Sequence, residues 1–285
     1  MSKGPNFATS NAAAGYMGSA SIGGVQVRFS DANIAAKQEV EAPDLVMADW
    51  DRDAFNYGKV DISGSISGPF TEDFVAGGLL SWACARGTCG ELTANDVDLA
   101  YYCGKDKSFT DLLVNSFSLS CAAGDAAQFS VDVIGRSTST FGTGDPDFKT
   151  TSEKIITWDK VGVIATGPSG VADFKYSNFE LTVANNVEPV YGIGFDSLLP
   201  LDLVPGLRNI SGTLTAIGVA DDFEGYDIWD DYTAANDGSV AFTLPGLAIT
   251  VICKFHRVEP TLSSGLITST VGFTGIGHQT GAPWS

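Results

Sequence analysis

The sequence predicts a mainly β chain built from two tandem copies of one domain, with one short helix in each copy. Three observations lead there. Residues 60–67 read Val-Asp-Ile-Ser-Gly-Ser-Ile-Ser, with Ile62, Gly64 and Ile66 on one side and Asp61, Ser63, Ser65 and Ser67 on the other. A period of two marks a strand with one buried and one wet face. The pattern returns at residues 208–216, Arg-Asn-Ile-Ser-Gly-Thr-Leu-Thr-Ala, with Ile210 standing 148 residues after Ile62. The flanks repeat as well. Val40-Glu41-Ala42-Pro43 precedes the first copy and Val187-Glu188-Pro189 the second, and a helix candidate follows each strand, at 71–85 and 223–235. An internal repeat of this length sets the architecture.

Composition agrees with a folded chain. Its 285 residues give room for two domains, and 44% apolar against 18% charged residues is a globular balance. The net charge of −18 disfavours a phosphate-binding basic face, while leaving open a surface that repels nucleic acid. Cysteines number five, at 84, 89, 103, 121 and 253. An odd count with no signal-peptide pattern points to synthesis in a reducing cytosol. Their spacing holds no tight Cys-x2-Cys pair, so buried free thiols are expected rather than zinc ligands. No apolar run is long enough to predict a membrane span.

The elements follow in order. Residues 1–24, rich in Ala, Gly, Ser and Asn, are expected to be a flexible arm. The first domain is placed at 25–137. It opens with a strand at 25–29 and passes through an irregular stretch at 39–58 that carries Trp50, Phe55 and Tyr57. The run 72–86 has helical spacing, with Phe74, Gly78, Trp82 and Ala85 on one side, although two glycines weaken it. Residues 114–120 and 129–134 alternate about a turn at 122–127, which predicts a hairpin. A linker rich in Ser, Thr, Gly and Asp is placed at 138–153, the second domain at 154–277 and a tail at 278–285. The second domain opens with a strand at 160–165 and another at 177–183. It closes with a hairpin of residues 254–258 and 267–273 about a turn at 260–265.

No catalytic constellation is complete. His256 lies in a strand and His278 in the Gly-rich tail, and no Gly-x-Ser-x-Gly elbow is present. Asp49, Asp51 and Asp53 start like a calcium loop, but Ala54 and Val60 occupy the positions that need Gly and Glu. Gly192 and Gly194 lack the third glycine of a dinucleotide fingerprint. Asp221, Asp222, Asp230 and Asp231 surround the second helix candidate, where spacing alone leaves a glycoside-cleaving carboxylate pair open. With the constellations missing, no enzyme, cofactor or metal is expected.

One string carries a resemblance. Residues 179–191, Phe-Glu-Leu-Thr-Val-Ala-Asn-Asn-Val-Glu-Pro-Val-Tyr, continue through Leu199-Pro200 and Val204-Pro205-Gly206-Leu207-Arg208 into Ile210-Ser211-Gly212-Thr213-Leu214-Thr215. The order resembles that of the tail tube proteins (major tail proteins) of long-tailed bacteriophages. The first copy is similar more loosely, and it has Asn56-Tyr57-Gly58-Lys59 in place of the Pro-Gly-x-Arg element. The resemblance implies tandem β-sandwich or half-barrel domains, each with a packed helix, that complete a β-barrel channel on assembly. It implies a structural virion protein of the tail, assembled in the host cytoplasm, whose stacked rings conduct double-stranded DNA without binding it specifically. Its implied partners are the tape-measure protein and the tail terminator and baseplate proteins. Single-domain relatives resemble hexamers, so two fused copies imply homotrimeric, pseudo-hexameric rings. The alternatives are a tube initiator or baseplate hub with two tube-like domains and, from another class, a β-sandwich binding module.

Two sets of residues follow as expectations. The wet strand faces would line the channel through Asp61, Ser63, Ser65, Asp132, Glu180, Thr182, Ser211, Thr213, Thr215, Thr268 and Thr270, a hydroxylated wall with few cations. The long stretches 39–58 and 188–207 would reach neighbouring subunits and bury Trp50, Phe55, Tyr191 and Phe195 there.

Overall fold

The structure, a computed structural model, describes residues 19–41, 56–72, 78–87, 90–101, 105–143, 154–167, 170–172, 175–193, 198–218, 237–256, 259–263, 266–277, 279 and 284. The first half runs through β1 (Ser19–Ile22), β2 (Val25–Val27), β3 (Asp31–Ala32), β4 (Ala35–Glu41), β5 (Asn56–Pro69), the helix α1 (Leu79–Cys84), β6 (Asn95–Tyr101), β7 (Lys105–Ala122), β8 (Gln128–Gly135) and β9 (Ser137–Thr138). A 3-10 turn at Trp158–Lys160 leads to the second half. There follow β10 (Gly162–Gly167), β11 (Gly170–Ala172), β12 (Lys175–Ala184), β13 (Val187–Val190), β14 (Asp202–Pro205), β15 (Asn209–Gly218), β16 (Gly238–Leu244), β17 (Leu247–Phe255), β18 (Glu259–Ser263) and β19 (Leu266–Gly275). The protein is mainly β, as expected.

The main sheet is an antiparallel run in the order β4, β5, β8, β7, β12, β15, β19, β18, with β3 continuing the line of β4 along β5. The two halves use the same strand order and the same register. Gly64 faces Val133 as Gly212 faces Phe273, and Ile66 faces Val131 as Leu214 faces Val271. Ala36 lies opposite Ile62 as Val183 lies opposite Ile210. The N-terminal part of β7 folds away to pair with β6, and β1 joins β6 to β2; β17, β16, β10 and β11 make the matching layer in the second half. One apolar core fills the space between, from Ile22, Ile66, Phe117 and Val131 to Val183, Phe242 and Phe273. Phe179, Phe242 and Phe273 stack through it with ring centroids 5.1 and 6.3 Å apart.

Alternation located the strands well and their boundaries less well. The arm expected over 1–24 is strand from Ser19 onward. Ala20 and Ile22 are buried on β1, and a two-residue turn with positive φ at Gly23 and Gly24 returns the chain into β2. Its small Ala and Ser residues hid the period. The helix is shorter than 72–86 within the described residues. Gly78 sits in the left-handed region ahead of α1, and residues 73–77 lie outside the described residues. Five of its six residues are buried, Trp82 among them, and the indole N–H donates to the Leu112 carbonyl at 3.4 Å. The helix expected at 223–235 also lies outside the described residues.

The linker expected at 138–153 and the second-domain start at 154 need correction. Thr138 pairs with Phe109 on β7. Ile156 is fully buried against the first half, where its N–H donates to the Phe70 carbonyl and its own carbonyl accepts from Ala127. Ile156 joins Phe70 and Ala127 where β5 ends and β8 begins, so residues 154–157 complete the first half. In the closing hairpin, Pro260 is inside β18 rather than in a turn, because Leu262 pairs with Ile267 and Ser263 with Leu266.

The two motif glycines have a steric reason. A Cβ on Gly212 would come within 3.0 Å of the Glu180 carbonyl and the Phe273 ring, and one on Gly64 within 3.0 Å of the Ile34 backbone. Gly212→Ala should therefore lower the unfolding free energy by about 1–3 kcal/mol. At Gly162 the nearest atom to an added Cβ is 3.5 Å away, and Gly162→Ala should stay within about 0.5 kcal/mol of the parent. Urea unfolding followed by Trp fluorescence checks both.

Candidate functional site

Cross-strand pairing gathers all eleven expected wall residues onto one face of the main sheet. One row runs Ser67, Ser130, Ser118, Thr182, Ser211, Thr274 across six strands, and the next runs Gln128, Ser120, Glu180, Thr213. Thr215 and Thr270 pair beyond them, and Thr268 pairs with Ile217. Asp61, Ser63, Ser65 and Asp132 lie on the same face of β5 and β8. None of the eleven is buried. The opposite row, Ile66, Val131, Phe117, Val183, Ile210, is buried throughout. The face is held locally: Ser116 Oγ donates to Asp132 at 2.6 Å, and the Ser65 N–H donates to Asn33 Oδ1 at 2.8 Å. Lysines are present where few cations were expected. Lys37 and Lys59 flank Asp61, and Lys254 pairs with Asp237 at 2.9 Å. Lys59 lies 3.5 Å from Asp61 and 3.8 Å from Glu39, which offsets its charge.

The halves meet along β7 and β12. Seven residue pairs, from Ser116↔Ala184 to Ala122↔Asn178, form the ladder. It is extended by bonds of 2.7 Å from Ala123 N–H to Ser177 and from Asn185 N–H to Asn115. Asn185 is fully buried at its end, and its amide donates to the carbonyls of Ala83 at 3.1 Å and Val114 at 3.0 Å. The Arg208 guanidinium donates to the Cys84 carbonyl at 2.7 Å. The last carbonyls of a helix have no partner within it. Here residues of the second half supply two of them, and α1 has no basic residue in its own last turn. Asn186 takes a left-handed φ of 51 degrees, which Asn tolerates better than most residues, and its amide closes the loop onto Leu207 at 2.7 Å. Asn185 and Arg208 stood within the quoted strings, but nothing local marked them as bonds between halves.

Beyond Asn186 the stretch expected to lack regular pattern is a β13–β14 hairpin, with Val187 opposite Pro205 and Val190 opposite Asp202. It lies over the first half of the same chain. Val187 and Leu203 pack with Leu92 and Leu113 in a small second core. The Val60 N–H donates to the Leu198 carbonyl at 2.8 Å, and Tyr191 Oη donates to the Val60 carbonyl at 3.1 Å and to Asp61. Burial, together with Asp61, holds the Tyr191 phenol above its ordinary pKa. Tyr191, expected against a neighbouring subunit, is hydrogen-bonded by the first half of its own chain. Trp50, Phe55 and Phe195 lie outside the described residues. The hairpin's outer surface exposes Val190, Ile193, Leu198, Leu201, Val204 and Leu207, with Ile193 fully exposed.

Among the other candidates, Cys84, Cys121 and Cys253 are buried free thiols, and burial pushes Cys84 and Cys253 up to about 12. Cys89, Cys103, His278, Gly194 and the two aspartate groups at 49–53 and 221–231 lie outside the described residues. His256 is exposed, with Nε2 2.6 Å from Thr274 Oγ1. Among the described residues no group of three His, Cys, Asp or Glu side chains is placed to hold a metal.

A family model described as phage tail tube protein matches residues 73–275. The match ends with β19 and crosses the β7–β12 seam, so it takes parts of both halves as one unit. No curated protein matches the chain.

Asn185→Ala should cost about 2–4 kcal/mol, because it strands two buried carbonyls at the seam. Chemical unfolding of the purified chain measures this. A loss within about 0.5 kcal/mol, the range of ordinary surface substitutions, would mean that water replaces the amide.

Proposed function

Because the chain belongs to the phage tail tube protein family, we propose that it forms rings that stack into the hollow tube of a phage tail and conduct DNA from capsid to host. The observation that carries this reading is one hydroxyl-rich face that crosses both halves from β5 to β19 within a sheet that runs from β4 to β18. Among the described residues, each end of that run has a ladder on one side only. Exposed edges template further pairing, and closing the sheet into a barrel removes them.

The chain comprises two tube domains, one per half. Their matched registers make the halves quasi-equivalent, so three chains supply six repeats to a ring. The hydroxyl-rich face lines the lumen and the apolar face is the core. The wall acts passively. Ser and Thr hydroxyls keep water bound, Asp132 and Glu180 repel phosphate, and Lys59 is held by carboxylates before it can grip the backbone of DNA. No catalytic residue, cofactor or metal takes part. Exposed apolar residues of the β13–β14 hairpin, Ile193 and Leu207 foremost, are covered by the adjacent ring. The tape-measure protein fills the lumen during assembly in the host cytoplasm, and terminator and baseplate proteins bound the tube in the virion.

Electron microscopy of concentrated protein should show long tubes, and native mass measurement of their rings should give three chains. Capped single rings would favour an initiator at the baseplate, monomers a binding module, and stable six-chain rings would refute the quasi-equivalent reading.

Replacing Ser63, Thr213 and Thr215 by Lys tests the wall while sparing Ser65, which holds Asn33. Rings should still form. Genome ejection should slow by roughly 10-fold in ~50 mM salt and by less in ~200 mM, as phosphate contacts are screened. Unchanged ejection from normal tubes would place this face away from the DNA.

A further inference from the structure

The seam inside the chain is a template for the seam between chains. Resting on the ring reading above, we infer that β18 of one copy pairs antiparallel with β3 and β4 of the next, with Glu259 opposite Ala35, Thr261 opposite Asn33 and Ser263 opposite Asp31.

The register comes from two internal correspondences. β12 and the β3–β4 line are related by their shared partners. Val183 faces Ile210 as Ala36 faces Ile62, and Phe179 faces Leu214 as Ala32 faces Ile66. The C-terminal part of β7 corresponds to the end of β17 and to β18. Val114 faces Val133 as Phe255 faces Phe273, and Ser118 faces Ser130 as Glu259 faces Thr270. Even the bulge recurs. Between those two pairs β7 advances by one residue more than β8, and the β17–β18 line by one more than β19. Applying both correspondences to the observed pairs Ser118↔Thr182, Ser120↔Glu180 and Ala122↔Asn178 yields the three pairs above.

Exposure supports the same assignment independently. Val40 faces Tyr57 as Val187 faces Pro205, so the two valines are equivalent. Val187 is 5% exposed beneath the internal seam, whereas Val40 is 54% exposed. In the ring Val40 takes the place against the next copy that Val187 takes against the first half.

The two seams differ at one residue. Ala123 sends its N–H to β12, so strand alternation sends those of Cys121 and Leu119 the same way. The counterpart of Leu119 is Pro260, which has no N–H. The seam between chains therefore lacks one ladder bond, and the free edge of the unassembled chain is blunted against indiscriminate pairing. Rings open between chains before the halves separate.

Glu259 and Ala35 would form a non-hydrogen-bonded pair, whose close Cα spacing suits a disulfide. The test is oxidation of assembled Glu259→Cys/Ala35→Cys protein, followed by nonreducing denaturing electrophoresis. Covalent rings are expected, with only single chains from each lone variant, from the parent, and from Ser263→Cys/Ala35→Cys, which is out of register. Normal tubes without the cross-link, or cross-linking of the out-of-register pair, would overturn the register and leave the tube reading standing. A parent chain that forms neither rings nor tubes would overturn both. Should the double variant fail to assemble, Pro260→Ile decides. Restoring the N–H should let rings persist at roughly 2- to 10-fold lower protein concentration, the equivalent of one backbone bond, and no gain would count against the pairing.

Discussion

The antiparallel ladder between β7 and β12 is the constraint on which the rest of the structure depends. It turns two four-stranded runs into one sheet with a continuous apolar face and a polar face interrupted at Leu113 and Ile134, where the second core packs. The apolar side dominates the energetics. Phe117, Leu119, Phe179, Leu181 and Val183 are all buried along it, and each contributes about 1.5–3 kcal/mol. A ladder bond contributes only about 0.5–1.5 kcal/mol net. The bonds matter more for register, because a slip of one residue would turn Ser118 and Thr182 into the core and Phe117 and Val183 into water.

Side chains at the end of that ladder convert a pairing of strands into a rigid joint. Asn185 and Arg208 complete the C-terminus of α1 in the other half, and the β13–β14 hairpin then lies across β5 through Leu198 and Tyr191. The halves are thus bonded by backbone, by buried amide and by a small second core. A joint of this kind holds the two halves as one unit. It also explains why the fused repeat is more than two domains on a string.

A wall proposed to pass a polyanion needs chemistry opposite to that of a binding site. Hydroxyls bond water without carrying charge, and Lys59 beside Asp61 is bridged to carboxylates. The buried thiols of Cys84 and Cys253, pushed up to about 12, stay protonated and inert. Among the described residues the cysteine thiols are buried and the wet sheet face presents hydroxyls.

By itself the sequence determined the strands, their inward and outward sides, the repeat and the family resemblance, because alternation and turn chemistry are local. Ile62, Ile66, Ile210 and Leu214 are buried as their spacing required, and Ser211 and Thr213 are not. It also determined which residues share the polar face, since period two fixes that once strands pair in register. It did not determine where the N-terminal strand begins, since Ala and Ser alternate too weakly to be seen. Nor did it place Ile156, whose burial depends on Phe70 and Ala127 at the ends of β5 and β8. Only the tertiary structure decided which strand of one half meets which strand of the other, that Asn185 caps a helix some hundred residues earlier, and that Tyr191 binds within its own chain. Those are pairings across long loops, chosen by which free edge and which unsatisfied carbonyl lie within reach once both halves have folded.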